Sequence, residues 1–92
     1  MYSNKNEDNP IKVKIFGILR EKMGNDHLIL YNVQEPITLN DLRKLLRQAY
    51  PSLYKYEKDS IYVVNNEIVS DEYTFTVTSS DEIALLPSIN GL

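Results

Sequence analysis

Near its end the chain carries Ile83-Ala84-Leu85-Leu86, closed by Pro87. A four-residue run with no polar member is the pattern of a strand covered on both faces, and so of one inside a sheet. Pro87 removes a backbone donor and stops sheet pairing. Before the run stand Ser79-Ser80-Asp81, a turn, and Glu82. After it come Ser88-Ile89-Asn90-Gly91-Leu92, which have no core pattern and are expected to form a flexible tail over residues 88–92.

The rest of the chain supplies neighbours for that strand. Residues 1–10 are polar, end in Asn9-Pro10, and read as a flexible lead-in. Ile11, Val13 and Ile15 alternate with Lys12 and Lys14 in a first strand that continues past Phe16 toward Leu19. Gly17 inside that run suggests a strand end or a close backbone approach. Arg20 to Gly24 reads as one helical turn closed by glycine, and His27 to Val33 as a second strand in a hairpin with the first. Thr38 is a good N-cap, with Asp41 in capping-box position. Leu39, Leu42, Leu45, Leu46 and Ala49 then recur at helical spacing until Pro51 stops the helix. Ser52 to Ser60 reads as a connection. Ile61 to Val64 and Glu67 to Val69 are short strands about an Asn65-Asn66 turn, and Asp71 to Thr78 is an irregular crossing.

A hairpin, one helix and further strands make an α+β fold. With the apolar last strand lying centrally beside the first, the topology is a β-grasp, or ubiquitin-like, domain over residues 11–87. It has a mixed four- to five-stranded sheet and one main helix packed across it. Ninety-two residues make one such domain, large enough to bury roughly two thirds of its unfolded surface.

Composition excludes several kinds of chemistry. There is no cysteine, so there is no disulfide framework, thiolate metal site or cysteine nucleophile. This fits a cytoplasmic protein. A net charge of −3 argues against neutralising nucleic-acid phosphates, and no apolar run approaches the ~18 residues of a membrane span. His27, the sole histidine, has no second metal ligand in view. Asp81 and Glu82 would point to opposite faces of a strand and suit a turn better than acid–base work. Arg43, Lys44 and Arg47 form a basic helix face, either solvated or fitted to an acidic partner. The tyrosines near Tyr50, Tyr54 and Tyr56 lack the basic surplus of a base-stacking surface. No self-contained active site is expected, which leaves the tail or a flat surface as the working part. Phe16 and Ile18, read on the outer face of the first strand, are candidates for an apolar partner patch.

Three segments resemble the MoaD/ThiS sulfur-carrier family, most of all its molybdopterin synthase small subunits. Val13-Lys14-Ile15-Phe16-Gly17 with Leu19-Arg20-Glu21 and Gly24 is similar to the family's first strand and its Arg-Glu-x-x-Gly turn. Thr38-Leu39, Leu42-Arg43 and Leu46 resemble the start of its helix. Val63-Val64-Asn65, and Ser80 through Pro87, resemble its third strand and its approach to the tail, with Ser80 in place of the usual glycine.

The resemblance implies a carrier with no bound cofactor. An ATP-dependent, E1-like activating enzyme adenylates the C-terminal carboxylate, which becomes a thiocarboxylate. The tail then enters the molybdopterin synthase large subunit and donates sulfur for molybdenum cofactor biosynthesis, or serves a thiamine-type pathway. Gly91 and Leu92 would be the carrier end, with Pro87, Ser88, Ile89 and Asn90 in the partner's channel. The family ends in Gly-Gly, and here Leu92 stands in the last position. Three arrangements accommodate it: a roomier channel, proteolytic trimming to Gly91, or a ubiquitin-fold interaction module that no longer transfers sulfur.

Overall fold

The computed structural model describes residues 10–87; the lead-in before Pro10 and the tail after Pro87 lie outside them. The alternating stretch Ile11–Ile15 forms β1, with its three aliphatic side chains inward and both lysines exposed. The strand ends at Ile15, four residues before the Leu19 to which the apolar run extends. Gly17 takes φ 57°, a left-handed value that breaks extended backbone, and helix α1 begins there, Gly17–Met23. Ile18 therefore sits on α1, not on the first strand. Gly24 closes the helix in left-handed geometry, its N–H donating to the Arg20 carbonyl. β2, His27–Leu30, then pairs antiparallel with β1.

Ile37–Thr38, not foreseen as a strand, forms β3 and leads into α2, Leu39–Ala49. Thr38 Oγ1 accepts the Asp41 N–H at 3.1 Å, the expected cap. Leu39, Leu42 and Leu46 are buried against the sheet, while Ala49, at the end of the stripe, is exposed. Residues 51–57 are more ordered than a plain connection: a 3-10 turn, Pro51–Leu53, runs into the short helix α3, Tyr54–Glu57. β4, Ile61–Val64, and β5, Glu67–Val69, make a hairpin whose Asn65 and Asn66 both have positive φ. The crossing contains β6, Thr76–Val77, paired with β3 in a small second sheet.

β7, Ile83–Leu86, runs parallel to β1 and antiparallel to β4. The main sheet is ordered β2-β1-β7-β4-β5, so the last strand is central as its sequence requires. The reason for its two apolar faces differs from the expectation. Ile83 and Leu85 are buried in the core, but Ala84 and Leu86 belong to an outer face that remains partly open. β2 is an edge strand whose outward backbone is occupied. The Tyr50 hydroxyl accepts the Ile29 N–H at 3.1 Å and donates to the Ile29 carbonyl at 3.4 Å.

The basic face of α2 is largely an internal one. Glu57 is fully buried, and both its oxygens accept from Arg43 Nη1, at 2.6 and 2.8 Å. Arg47 Nη2 reaches the same carboxylate at 2.9 Å. Arg43 also donates two hydrogen bonds to Glu72 and lies 4.9 Å from the Tyr62 ring centroid. Burial alone would lower the Arg43 pKa, but the bonds to Glu72 and Glu57 outweigh it and the net shift is upward. Burial in turn pushes the Tyr62 phenol up. Of the three basic residues, Lys44 alone is exposed. Glu57→Gln leaves two guanidinium groups facing a neutral amide and is expected to lower stability by about 3 kcal/mol in urea unfolding.

Asp81 closes the turn before β7. Its carboxylate accepts from Asn65 Nδ2 at 2.9 Å and Thr78 N–H at 2.8 Å, which hold its pKa below the ordinary 3.8, the Asn65 bond most strongly. A depressed carboxylate pKa stabilises the fold above the unfolded-state value, and that contribution fades as pH falls through the folded-state value. Asp81→Ala should therefore be less stable than wild type by about 1 kcal/mol or less near neutrality, the site being solvent-screened. The gap should narrow as pH drops below 3.8 in acid-unfolding titrations.

Candidate functional site

The site is built around the end of β7. One row of outward side chains crosses the sheet from His27 through Lys14, Ala84 and Val63 to Ile68. Beside it Ile61 pairs with Leu86. The β7-β4-β5 part of this face is aliphatic, with Ile68 69% and Ile61 39% exposed. The β1-β2 part carries the exposed Lys12, Lys14 and His27, with half-buried Ile29 opposite Lys12. The helices pack on the opposite face, where Leu19, Leu39, Leu42 and Leu46 join the core. An exposed aliphatic strip rimmed by charge is the usual form of a protein-docking surface.

The strip runs to the last described residues of the chain. Leu86 is its last member, and Pro87 follows. A Cβ placed on Gly17 would lie 3.1 Å from Pro87 Cγ. The sequence reading of Gly17 as a close approach is thus realised against Pro87. Pro87 is half-buried at the base of the tail. Ser88, Ile89, Asn90, Gly91 and Leu92 lie outside the described residues.

The two candidates for an apolar patch separate. Phe16 is half-buried at the end of β1, with Lys14 Nζ 5.3 Å from its ring centroid, and it borders the same outer concavity as His27 and Val63. Ile18 is 40% exposed on α1. Missing from the sequence reading were Ile61, Val63, Ile68 and Leu86 as a surface. Their runs looked like core strands, and only the register shows which members face outward. A wider groove between residues 31–38 and α2 lies at the other end of β1, where Ile11 pairs with Leu30, away from Pro87.

The chain has no cysteine, and among the described residues no three His, Asp or Glu side chains gather as a metal site. No helix among them is long and apolar enough to cross a membrane.

Comparison with known proteins agrees with this geometry. Residues 13–91 match the ThiS family. The chain is 30% identical over 84 residues to the molybdopterin synthase sulfur carrier subunit of Dictyostelium discoideum, covering 90% of this chain and 96% of that one. It is 28% identical over 81 residues to the subunit of the same name in Caenorhabditis elegans, covering 88% and 95%. The solution structure of small archaeal modifier protein 1 from Methanosarcina acetivorans superposes with a TM-score of 0.68 at 26% identity, covering 90% of this chain and 96% of that one. With its central terminal strand and its match along nearly the whole length, the chain belongs to the MoaD/ThiS family of ubiquitin-like sulfur carriers.

Proposed function

We propose that the protein is the sulfur carrier of a molybdopterin synthase, working in the cytoplasm through its C-terminal carboxylate. The observation that carries this reading is the junction at Leu86-Pro87. There an aliphatic sheet face, with Ile61 and Ile68 exposed, reaches Leu86 and Pro87, four residues in sequence before Gly91. Relatives that bear the name of molybdopterin synthase sulfur carrier subunit support it.

In this scheme a carboxylate oxygen of the terminal residue bonds to the α-phosphorus of ATP on an activating enzyme, and pyrophosphate leaves. Sulfur at the sulfide level, HS−, then attacks the acyl carbon, AMP departs with that oxygen, and loss of the sulfur's proton leaves the thiocarboxylate. The resulting thiocarboxylate is delivered to the synthase large subunit. An extended run from Pro87 to Leu92 reaches about 20 Å, enough for the globule to stay outside the channel. The sheet face supplies docking, and the tail supplies the reacting group.

Leu92 is the point of friction. Its isobutyl group sits on the Cα next to the reacting carbon, where a channel shaped for glycine would be overfilled at a cost of roughly 1–3 kcal/mol. The interaction-module reading draws on the same residue, because the aliphatic face can bind a partner without any transfer.

Incubation with ATP, the activating enzyme and a sulfur donor, followed by intact-mass measurement, decides between the two. The carrier reading expects a sulfur-for-oxygen increase that disappears when Ser88 to Leu92 are deleted. Leu92→Gly should react about tenfold faster or more if the channel fits glycine. Val63→Asp should raise KM for the carrier about tenfold by placing a charge in the docking strip. If the full chain, the chain trimmed to Gly91 and Leu92→Gly all stay unmodified, the carrier reading fails. Partner binding that survives deletion of Ser88 to Leu92 would then favour the interaction module.

A further inference from the structure

The two edges of the main sheet are finished differently. β2 closes one side, and there the outward N–H and carbonyl of Ile29 are both taken by the Tyr50 hydroxyl. β5 closes the other side. Its register fixes which of its backbone groups face out. The Asn65 N–H donates to the Glu82 carbonyl at 2.8 Å, toward β7. Direction alternates along a strand, so Val63 also faces β7, while Tyr62 and Val64 face β5, where Val69 and Glu67 stand opposite. Ile68 lies between those two pairs, across from Val63, and its N–H and carbonyl point away from the sheet. No hydrogen bond among the described residues takes either group.

The Ile68 side chain adds to this. It is 69% exposed and continues the outward row of Ala84 and Val63. A free donor, a free acceptor and an open aliphatic side chain on one residue are what an added strand needs. Edge strands are usually blunted by brevity, lysine, proline or a bulge. β5 is brief, at three residues, but it has no lysine or proline and its pairing with β4 is unbroken.

Charge narrows the occupant. From 59 to 72 the chain carries Asp59, Glu67, Asp71 and Glu72, and no lysine or arginine. Glu72 is paired with Arg43, whereas Glu67 and Asp71, exposed on either side of Ile68, form no ion pair among the described residues. A second copy fits poorly. Antiparallel pairing of two β5 strands about Ile68 would bring two Glu67 and two Asp71 carboxylates to one seam with no cation between them. We infer that the free edge of β5 docks an extended segment of a partner protein, aliphatic at its centre and basic at its ends. Backbone hydrogen bonds at Ile68 set the register, and the central side chain extends the aliphatic row. The inference deepens the docking half of the sulfur-carrier reading, and rests on it only for which proteins bring the strand.

Two capped synthetic peptides serve as probes: Lys-Val-Thr-Val-Thr-Val-Lys, and the same sequence with glutamate at both ends. At peptide concentrations of roughly ten times Kd, the lysine peptide should slow hydrogen exchange of the Ile68 amide about tenfold in the isotope-labelled full chain. The Ile29 amide, already bonded to Tyr50, should keep its rate. The glutamate peptide should slow Ile68 at least about fivefold less, and a rise from about 50 to about 500 mM salt should close most of that gap. Ile68→Pro removes the outward donor without removing a ladder bond to β4. It should abolish peptide-induced shifts at Val63 and Val69 while the Val64 amide stays protected. Glu67→Lys combined with Asp71→Lys leaves the backbone alone and should reverse the preference between the peptides. The inference is overturned if the lysine peptide leaves Ile68 exchange unchanged, if both peptides act alike, or if shifts fall in the groove between residues 31–38 and α2 instead. Ile68 protection that grows with protein concentration alone would assign the edge to a second copy and overturn the occupant. Protection by the lysine peptide alongside a wild type that is never adenylated would sink the sulfur-carrier reading and leave the edge site standing.

Discussion

The parallel pairing of β7 with β1 is the constraint on which the rest of the structure hangs. Two parallel neighbours cannot be joined by a tight turn, so the chain between them must leave the sheet and return by a crossover. Here the crossover is nearly the whole domain. α2 crosses the inner face and buries Leu39, Leu42 and Leu46. The β4-β5 hairpin returns on the far side of β7, leaving the last strand hydrogen-bonded on both flanks. The strand that leads to Pro87 is thus held on both sides along its length.

The long way round has to be held closed between α2 and β4, and this is where charge enters the interior. Glu57 on α3 takes hydrogen bonds from Arg43 and Arg47 on α2, and Arg43 extends to Glu72 before β6. Two acids and two bases balance, and the guanidinium of Arg43 spreads over the Tyr62 ring. Burying such a set costs desolvation that its Coulomb attraction only partly repays. What it contributes is selectivity of arrangement. Bidentate geometry fixes how the 51–60 segment lies against the helix, and a greasy contact in its place would allow sliding.

Local chemistry was legible in the sequence wherever a few neighbouring residues decide the outcome. The Thr38 cap, the Asn65-Asn66 turn and the Gly24 helix end depend on residues within a few positions, and each was read from residue type and spacing; the Asp81 turn was read in the same way, although its strongest bond comes from Asn65, 16 residues away. The central place of β7 was legible from its composition. Partnerships that leap along the chain were not. Arg43 meets Glu57 and Glu72 at separations of 14 and 29 residues, and β3 meets β6 through only two residue pairs. No pattern in either segment signals the other. Phe16 and Ile18 were grouped because the apolar run passes through both, whereas the positive φ of Gly17 puts them on different elements.

The outer face of the sheet shows why an apolar run can mislead about burial while remaining right about position. Ala84 and Leu86 could be apolar because something covers them within the domain, or because a partner does. Pattern alone treats these cases alike, but exposure separates them: Ile68 and Ile61 next to them are open to solvent. On the proposed carrier reading, visits to an activating enzyme and then a synthase need a face whose burial is completed only on docking. They also need a reacting end that is not itself the docking site. Separating the two lets each partner recognise the same folded surface, while the chemistry is decided by a few residues beyond Pro87. On that reading Leu92 would bear on the rate of transfer far more than on recognition, because the aliphatic sheet face that docks is built without it.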